Sequence, residues 1–181
     1  MREYQNALTS FDRGQTGQGS SSYLDEIYLA IGTTRAIIGQ HDAGIAEVRK
    51  AINASSDVDL KSYAQYQIAA TYLMKGDPPS ALPEFQKVVS NFGAQEVAPL
   101  ASFRVGQCLM EMKQYQQAID QFAKTEASFV DFPHKDWLLS FTGKCYWDMG
   151  KRTEAKEFFS RLVTNYPKSG LKPTAEKLLK T

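Results

Sequence analysis

The chain is poor in the residue types on which catalysis and cross-linking usually rest. Of 181 residues, two are cysteine and two are histidine. Two cysteines are too few for a disulfide framework, and His41 and His134 both fall in expected loops. An excess of charge of one sign is also missing. Lys+Arg is 21 against 20 Asp+Glu, a net charge of +1. That balance speaks against a nucleic-acid binder, which shows a basic excess or stripe. No uncharged apolar run approaches the roughly 20 residues that span a bilayer, so no membrane span is expected in the chain. Residues 1–19 lack an apolar signal core. Proline is scarce, at seven, which leaves room for long helices. What is present is globular composition, 43% hydrophobic and 23% charged, rather than disorder.

A 37-residue internal period organises these residues. Phe11, Val48, Phe85, Phe122 and Phe159 lie 37 apart at every step, as do Ala7, Gly44, Ala81, Ala118 and Ala155. Gly32, Ala69, Gly106 and Gly143 form a second small column. Ile31, Ile68, Val105 and Thr142 run one residue ahead of it, and Arg35, Tyr72, Leu109 and Tyr146 three behind. Gly39, Gly76 and Gly150 share a loop column with Lys113. Each period reads as two helices. Large-small-x-x-aromatic, as in Ile68, Ala69 and Tyr72, stays on one helical face. Gly76 then provides a left-handed C-cap. Asp77 is the expected N-cap of the second helix, with Pro78 in its first turn. Ala118 and Phe122, four apart, share a face of such a second helix, and Pro83 sits where it can bend one. Recurring Gly and Ala allow close helix approach, with the aromatics filling the adjacent holes.

This pattern resembles the tetratricopeptide repeat (TPR) family, whose usual repeat is 34 residues. The likeness runs from Tyr28, Ile31, Gly32, Gly44, Val48 and Ala51 to Gly143, Tyr146, Ala155, Phe159 and Pro167. Three extra residues fall in each inter-repeat loop. Arg35 replaces an expected aromatic, and the repeat-ending proline appears only at Pro167. The resemblance implies an all-α, right-handed α-solenoid of helix-turn-helix repeats over 24–57, 61–94, 98–131 and 135–168. Residues 2–13 then read as a lone helix, 14–22 as a flexible connector and 172–180 as a C-terminal capping helix. The longer period and Asn165-Tyr166-Pro167-Lys168-Ser169 are similar to bacterial cell-envelope members. That likeness slightly favours a periplasmic or membrane-anchored setting over the cytoplasm, and leaves room for an anchor upstream of this chain.

No catalytic fingerprint is found: GxSxG, P-loop, HExxH and dinucleotide motifs are all missing. The chain is expected to be no enzyme and to hold no cofactor or metal. Asp131, His134 and Asp136 are close in sequence, but a single loop supplies no second His and no Cys. Cys108 and Cys145 are repeat equivalents, expected as buried core thiols too far apart for a disulfide.

In this family the first helices line a concave groove that binds the ligand. A spacing of i, i+3, i+7, i+10 and i+11 on each first helix gives Glu26, Leu29, Thr33, Ala36 and Ile37. Next come Tyr63, Tyr66, Ala70, Leu73 and Met74; then Leu100, Phe103, Gln107, Met110 and Glu111; then Trp137, Ser140, Lys144, Trp147 and Asp148. The expected contact set is Tyr63, Tyr66, Leu73, Met74, Phe103, Gln107, Met110, Trp137, Lys144 and Trp147. Its apolar bias suits a protein-binding scaffold that takes an apolar or amphipathic peptide segment. With Lys144 alone among the lining cations, a basic clamp for a terminal carboxylate is disfavoured. The alternative is a homo-oligomer whose groove is filled by another copy or by the chain's own N-terminal helix. If Trp147 is a groove anchor, Trp147→Ala weakens partner binding by at least about 2 kcal/mol and leaves the thermal midpoint nearly unchanged.

Overall fold

The structure is a computed structural model that describes residue 9 and residues 23–181. Apart from Thr9, which is helical, the lone helix expected over 2–13 and the connector over 14–22 lie outside the described residues. Among the described residues from Tyr23 onward there are nine helices and no strand. They are α1 (Leu24–Ile37), α2 (His41–Ala54), α3 (Val58–Met74), α4 (Pro78–Asn91), α5 (Ala98–Glu111), α6 (Tyr115–Ser128), α7 (Lys135–Asp148), α8 (Arg152–Asn165) and α9 (Lys172–Leu179). The fold is all-α, with the helices packed in sequence as TPR-like repeats. The even-numbered helices α2 to α8 begin at His41, Pro78, Tyr115 and Arg152, intervals of 37 residues.

Local chemistry sets the helix ends. At α4 the Asp77 side chain accepts the Ser80 N–H at 3.1 Å, with Pro78 and Pro79 in the first turn where no intrahelical donor is needed. The helix continues through Pro83 to Asn91. The Asp57 side chain accepts the Asp59 N–H at 2.8 Å. That cap starts α3 at Val58, inside a segment expected to be a loop. The C-terminus of α3 closes on Gly76 at φ 77°, where the Gly76 N–H meets the Leu73 carbonyl and the Asp77 N–H the Tyr72 carbonyl, both at 2.9 Å. Lys113 takes the same role after α5 at φ 62°, with the Gln114 N–H on the Leu109 carbonyl at 2.8 Å. A non-glycine residue in this region is strained.

The described chain divides into two compact units, one ending at Ala101 and the other running from Ser102 to Thr181. In the first, Ile45, Val48, Ala64 and Ile68 form a buried cluster with Leu29, Ile52, Leu60 and Tyr72 against it. Helices α1 and α2 approach through backbone: a Cβ on Gly32 would lie 2.7 Å from the Gly44 carbonyl oxygen, and one on Gly44 would lie 2.7 Å from that of Gly32. In the second unit, Phe122 sits over Gly106 and Phe159 over Gly143, each ring in the space a Cβ would take. Phe159 joins Leu139, Ala155, Leu162 and Ala175 in a buried cluster, which Leu171, Leu178 and Leu179 cover. Phe85, Phe122 and Phe159 are each at most 2% exposed, and complete burial of such a ring is worth roughly 1.5–3 kcal/mol.

Candidate functional site

In the first unit, α1 and α3 enclose a groove of about 410 Å³. From α1 it takes Glu26, Leu29, Ala30, Thr33, Ala36 and Ile37, and from α3 Tyr63, Gln67, Thr71 and Met74. All five α1 residues expected from spacing are present. On α3 the face differs: Tyr63 and Met74 line the groove, while Gln67 and Thr71 stand in place of Tyr66, Ala70 and Leu73. Tyr66 is only 8% exposed. Its ring meets Phe85 edge-on at 5.3 Å, so it is core and not a ligand contact. Leu73 is half-buried outside the groove lining. A helix residue is displaced by about 100° from its neighbour, so i+3 and i+4 choices lead to different faces.

Phe103, the repeat equivalent of Tyr66, is corrected in the same way. At 1% exposure it is the hub of an aromatic cluster. Phe141 stands at 5.1 Å, Trp137 at 5.4 Å and Phe122 at 5.6 Å between ring centroids. The signal that could have found both lies in the sequence: Tyr66 and Phe103 occupy one repeat column.

The remaining expected contacts of the second unit are already engaged within the chain. Trp137 is half-buried and stacks on His134 at 3.9 Å. Trp147 packs against the Phe159 cluster, with the Arg152 guanidinium 3.8 Å from its ring centroid. Gln107 accepts from Arg104 at 2.6 Å and donates to Glu111 at 3.1 Å. Lys144 pairs with Asp148 at 3.3 Å, and Met110 is half-buried. Two cavities in this unit, of about 420 and 160 Å³, are lined by other residues. In the Asp131–His134–Asp136 loop, Asp136 accepts the Ser169 hydroxyl and His134 is stacked. Among the described residues no three His, Cys, Asp or Glu are grouped as metal ligands would be.

Cys108 and Cys145 are free and fully buried. Burial pushes both thiols up to about 12, reinforced by the nearby Glu111 and Asp148 carboxylates respectively. They are therefore inert small core groups and not nucleophiles. Among the described residues no helix is long and apolar enough to cross a membrane.

The fold defines an all-α helical-repeat protein, with a groove between α1 and α3 in its first unit. The chain belongs to the tetratricopeptide repeat-like family, whose domain model matches residues 12–180. Among solved structures, the apo form of RapI is similar with a TM-score of 0.82 at 13% identity, over 98% of this chain and 53% of RapI. The chain thus spans about half the length of RapI. YrrB, a TPR protein with an unusual peptide-binding site, is similar at TM-score 0.68 and 22% identity, over 97% of this chain and 84% of YrrB. MamA is similar at TM-score 0.71 and 19% identity, over 91% and 90%. At such identities the likeness is one of fold. No curated protein matches the chain.

Proposed function

We propose that this chain is a non-catalytic adaptor that docks an apolar or amphipathic peptide segment of a partner protein in the α1–α3 groove. The TPR-like fold generally serves protein–protein interaction, and YrrB is a structural neighbour with a peptide-binding site. The observation that carries the reading is the placement of exposed apolar side chains. Ile37 and Met74 are each 53% exposed and Tyr63 is 47%, yet all three line one groove. Large hydrophobics gathered in a concavity mark a recognition surface, whereas scattered ones need no explanation. In the second unit the proposal extends to Gln107, Met110, Lys144 and the accessible parts of Trp137 and Trp147 as further contacts. A bacterial cell-envelope setting is part of the proposal only through the resemblance at 165–169.

The test is selection of a phage-displayed library of random peptides, about 12 residues long, on the whole chain. Binding of the enriched peptides is then measured on Ile37→Glu and Met74→Glu. Both side chains are exposed, so helicity and thermal midpoint stay unchanged, while binding falls about 10-fold or more. Binding that survives both substitutions refutes the groove. A wild-type dimer by light scattering that Met74→Glu converts to monomer would instead make a second copy the occupant.

A further inference from the structure

The nature of the occupant, on the docking reading above, is written in a second cavity. It measures about 510 Å³ and is lined by Asp59, Ser62, Tyr63, Glu96, Val97 and Leu100. Tyr63 belongs to both cavities, so they adjoin along one wall. Their linings give the joint surface a direction. Ile37 and Met74, from the last turns of α1 and α3, form an apolar end. Glu26, from the first turn of α1, and Asp59 and Glu96, beyond Tyr63, form an acidic end. Among the described residues no Lys or Arg lines either cavity. Asp59 accepts a hydrogen bond from the Gln95 amide, which orients its carboxylate without neutralising it.

Five cations of this unit are paired elsewhere. Lys75 pairs with Asp42, Arg35 and Lys50 with Glu47, and Arg49 and Lys87 with Glu84. Among the described residues no cation pairs with Glu26, Asp59 or Glu96. The sequence through Ala101 holds eleven acidic and eight basic residues, and the remainder holds nine and thirteen. Negative charge therefore belongs to the unit that carries the groove.

We infer that the occupant is a basic–apolar peptide segment. An apolar side chain seats between Ile37 and Met74, and a Lys or Arg side chain reaches past Tyr63 to Asp59 and Glu96. Tyr63 and Met74 are eleven helical residues apart, roughly 16 Å at 1.5 Å per residue. An extended segment covers that distance in about five residues, which sets the spacing of apolar anchor and cation. The Tyr63 ring adds a face on which a cation is attracted. The carboxylates orient the segment and speed its capture more than they add affinity.

The test uses peptides enriched from the same library, synthesised and titrated against the whole chain. The variants are Asp59→Asn/Glu96→Gln and Met74→Glu. Enriched sequences are expected to pair Lys or Arg with an apolar residue about five positions away. The double variant then binds roughly 3- to 10-fold more weakly at about 20 mM salt, and the gap closes at about 500 mM. Enriched peptides without basic residues, or full affinity in the double variant, while Met74→Glu still abolishes binding, overturn the basic class and leave groove docking standing. Binding indifferent to Met74→Glu overturns docking, and the basic class with it.

Discussion

Gly32→Ala tests whether close backbone approach, and not simple apolar filling, dictates the small-residue columns. A Cβ at Gly32 would stand 2.4 Å from Val48 Cγ2, 2.7 Å from the Gly44 carbonyl oxygen and 2.9 Å from the Val48 amide nitrogen. Val48 can turn its methyl group, but the other two atoms are backbone of α2, so the whole helix must retreat. Val48 is 0% exposed, and its contacts with α1 loosen as α2 moves. Overpacking of this kind costs about 1–3 kcal/mol or more. Ala regains about 0.8–1 kcal/mol over Gly in a helix interior. Because backbone is the obstacle, the cost falls at the upper end of its range, and the net loss is about 2 kcal/mol.

Gly143→Ala is the informative contrast. There the nearest atoms are all ring carbons of Phe159, at 2.7 to 3.1 Å, and a ring can shift where a helix backbone cannot. The chain already contains this experiment in another repeat: Ala69 fills the equivalent position opposite Phe85, and both are 0% exposed. Gly143→Ala therefore costs less, about 0–1 kcal/mol after the helix gain. The assay is urea unfolding followed by far-UV circular dichroism, comparing midpoints and slopes for both variants. A Gly32→Ala protein as stable as wild type, or no less stable than Gly143→Ala, refutes the close-approach argument.

Three further outcomes follow from the same structure. Lys113→Gly relieves a left-handed residue at φ 62° and should raise stability by about 0.5–1 kcal/mol in urea melts; a loss would show that the Lys113 side chain outweighs the strain. Trp147→Ala should lower the thermal midpoint, because the ring packs on the Phe159 cluster beneath Arg152; partial burial sets the loss at about 1–3 kcal/mol, and an unchanged midpoint would restore Trp147 as a free groove anchor. Cys108 and Cys145 hold their protons in the folded state to about pH 12, whereas unfolded thiols ionise near pH 8.5. Their effect on stability is nil below that value, and stability falls as pH rises between the two, by up to about 1.4 kcal/mol per pH unit for each thiol. Urea midpoints at pH 8, 9 and 10 should therefore drop more steeply in wild type than in Cys108→Ala/Cys145→Ala, and equal slopes would refute buried, raised thiols.

Positions where two backbones or a ring and a backbone must meet were legible in the sequence, because their size limits recur. Gly32, Gly44, Gly106 and Gly143 are such positions, and Phe122 and Phe159 fill the spaces that two of them leave. So was the equivalence of Lys113 with Gly39, Gly76 and Gly150: all four adopt positive φ. The Asp77 cap was legible because an Asx side chain before proline has few other uses. The groove face of α3 was not. A face is defined by what a helix touches, and Tyr66 touches Phe85. Aromatic character is shared by core and recognition surface, so residue type could not separate Tyr63, which is exposed, from Tyr66, which is not. Trp137 and Trp147 share the ambiguity, since each is half-buried against neighbouring rings of its own chain.

Similar repeats raise a problem of pairing, since any second helix could in principle dock on the wrong first helix. One buried to half-buried column answers it with chemistry. Positions 47, 84, 121 and 158 are repeat equivalents holding Glu, Glu, Gln and Phe. Glu47 is met by Arg35 and Lys50, and Glu84 by Arg49, Lys87 and the Gln65 amide. Gln121 donates to the Ser102 carbonyl and hydroxyl, and that hydroxyl also meets Thr125 at 2.8 Å. Phe158 faces Tyr146 at 5.4 Å. Buried carboxylates add little net stability even when matched, but an unmatched one costs several kcal/mol, about 3–5. A helix carrying Glu84 would find no Gln65 if docked one repeat later, where Ser102 stands, and one carrying Phe158 would cover the Ser102 hydroxyl with a ring. The same acidic residues draw in Arg35, Lys50, Arg49 and Lys87. Glu47 and Glu84 thus also engage four cations of the first unit, none of which pairs with Glu26, Asp59 or Glu96.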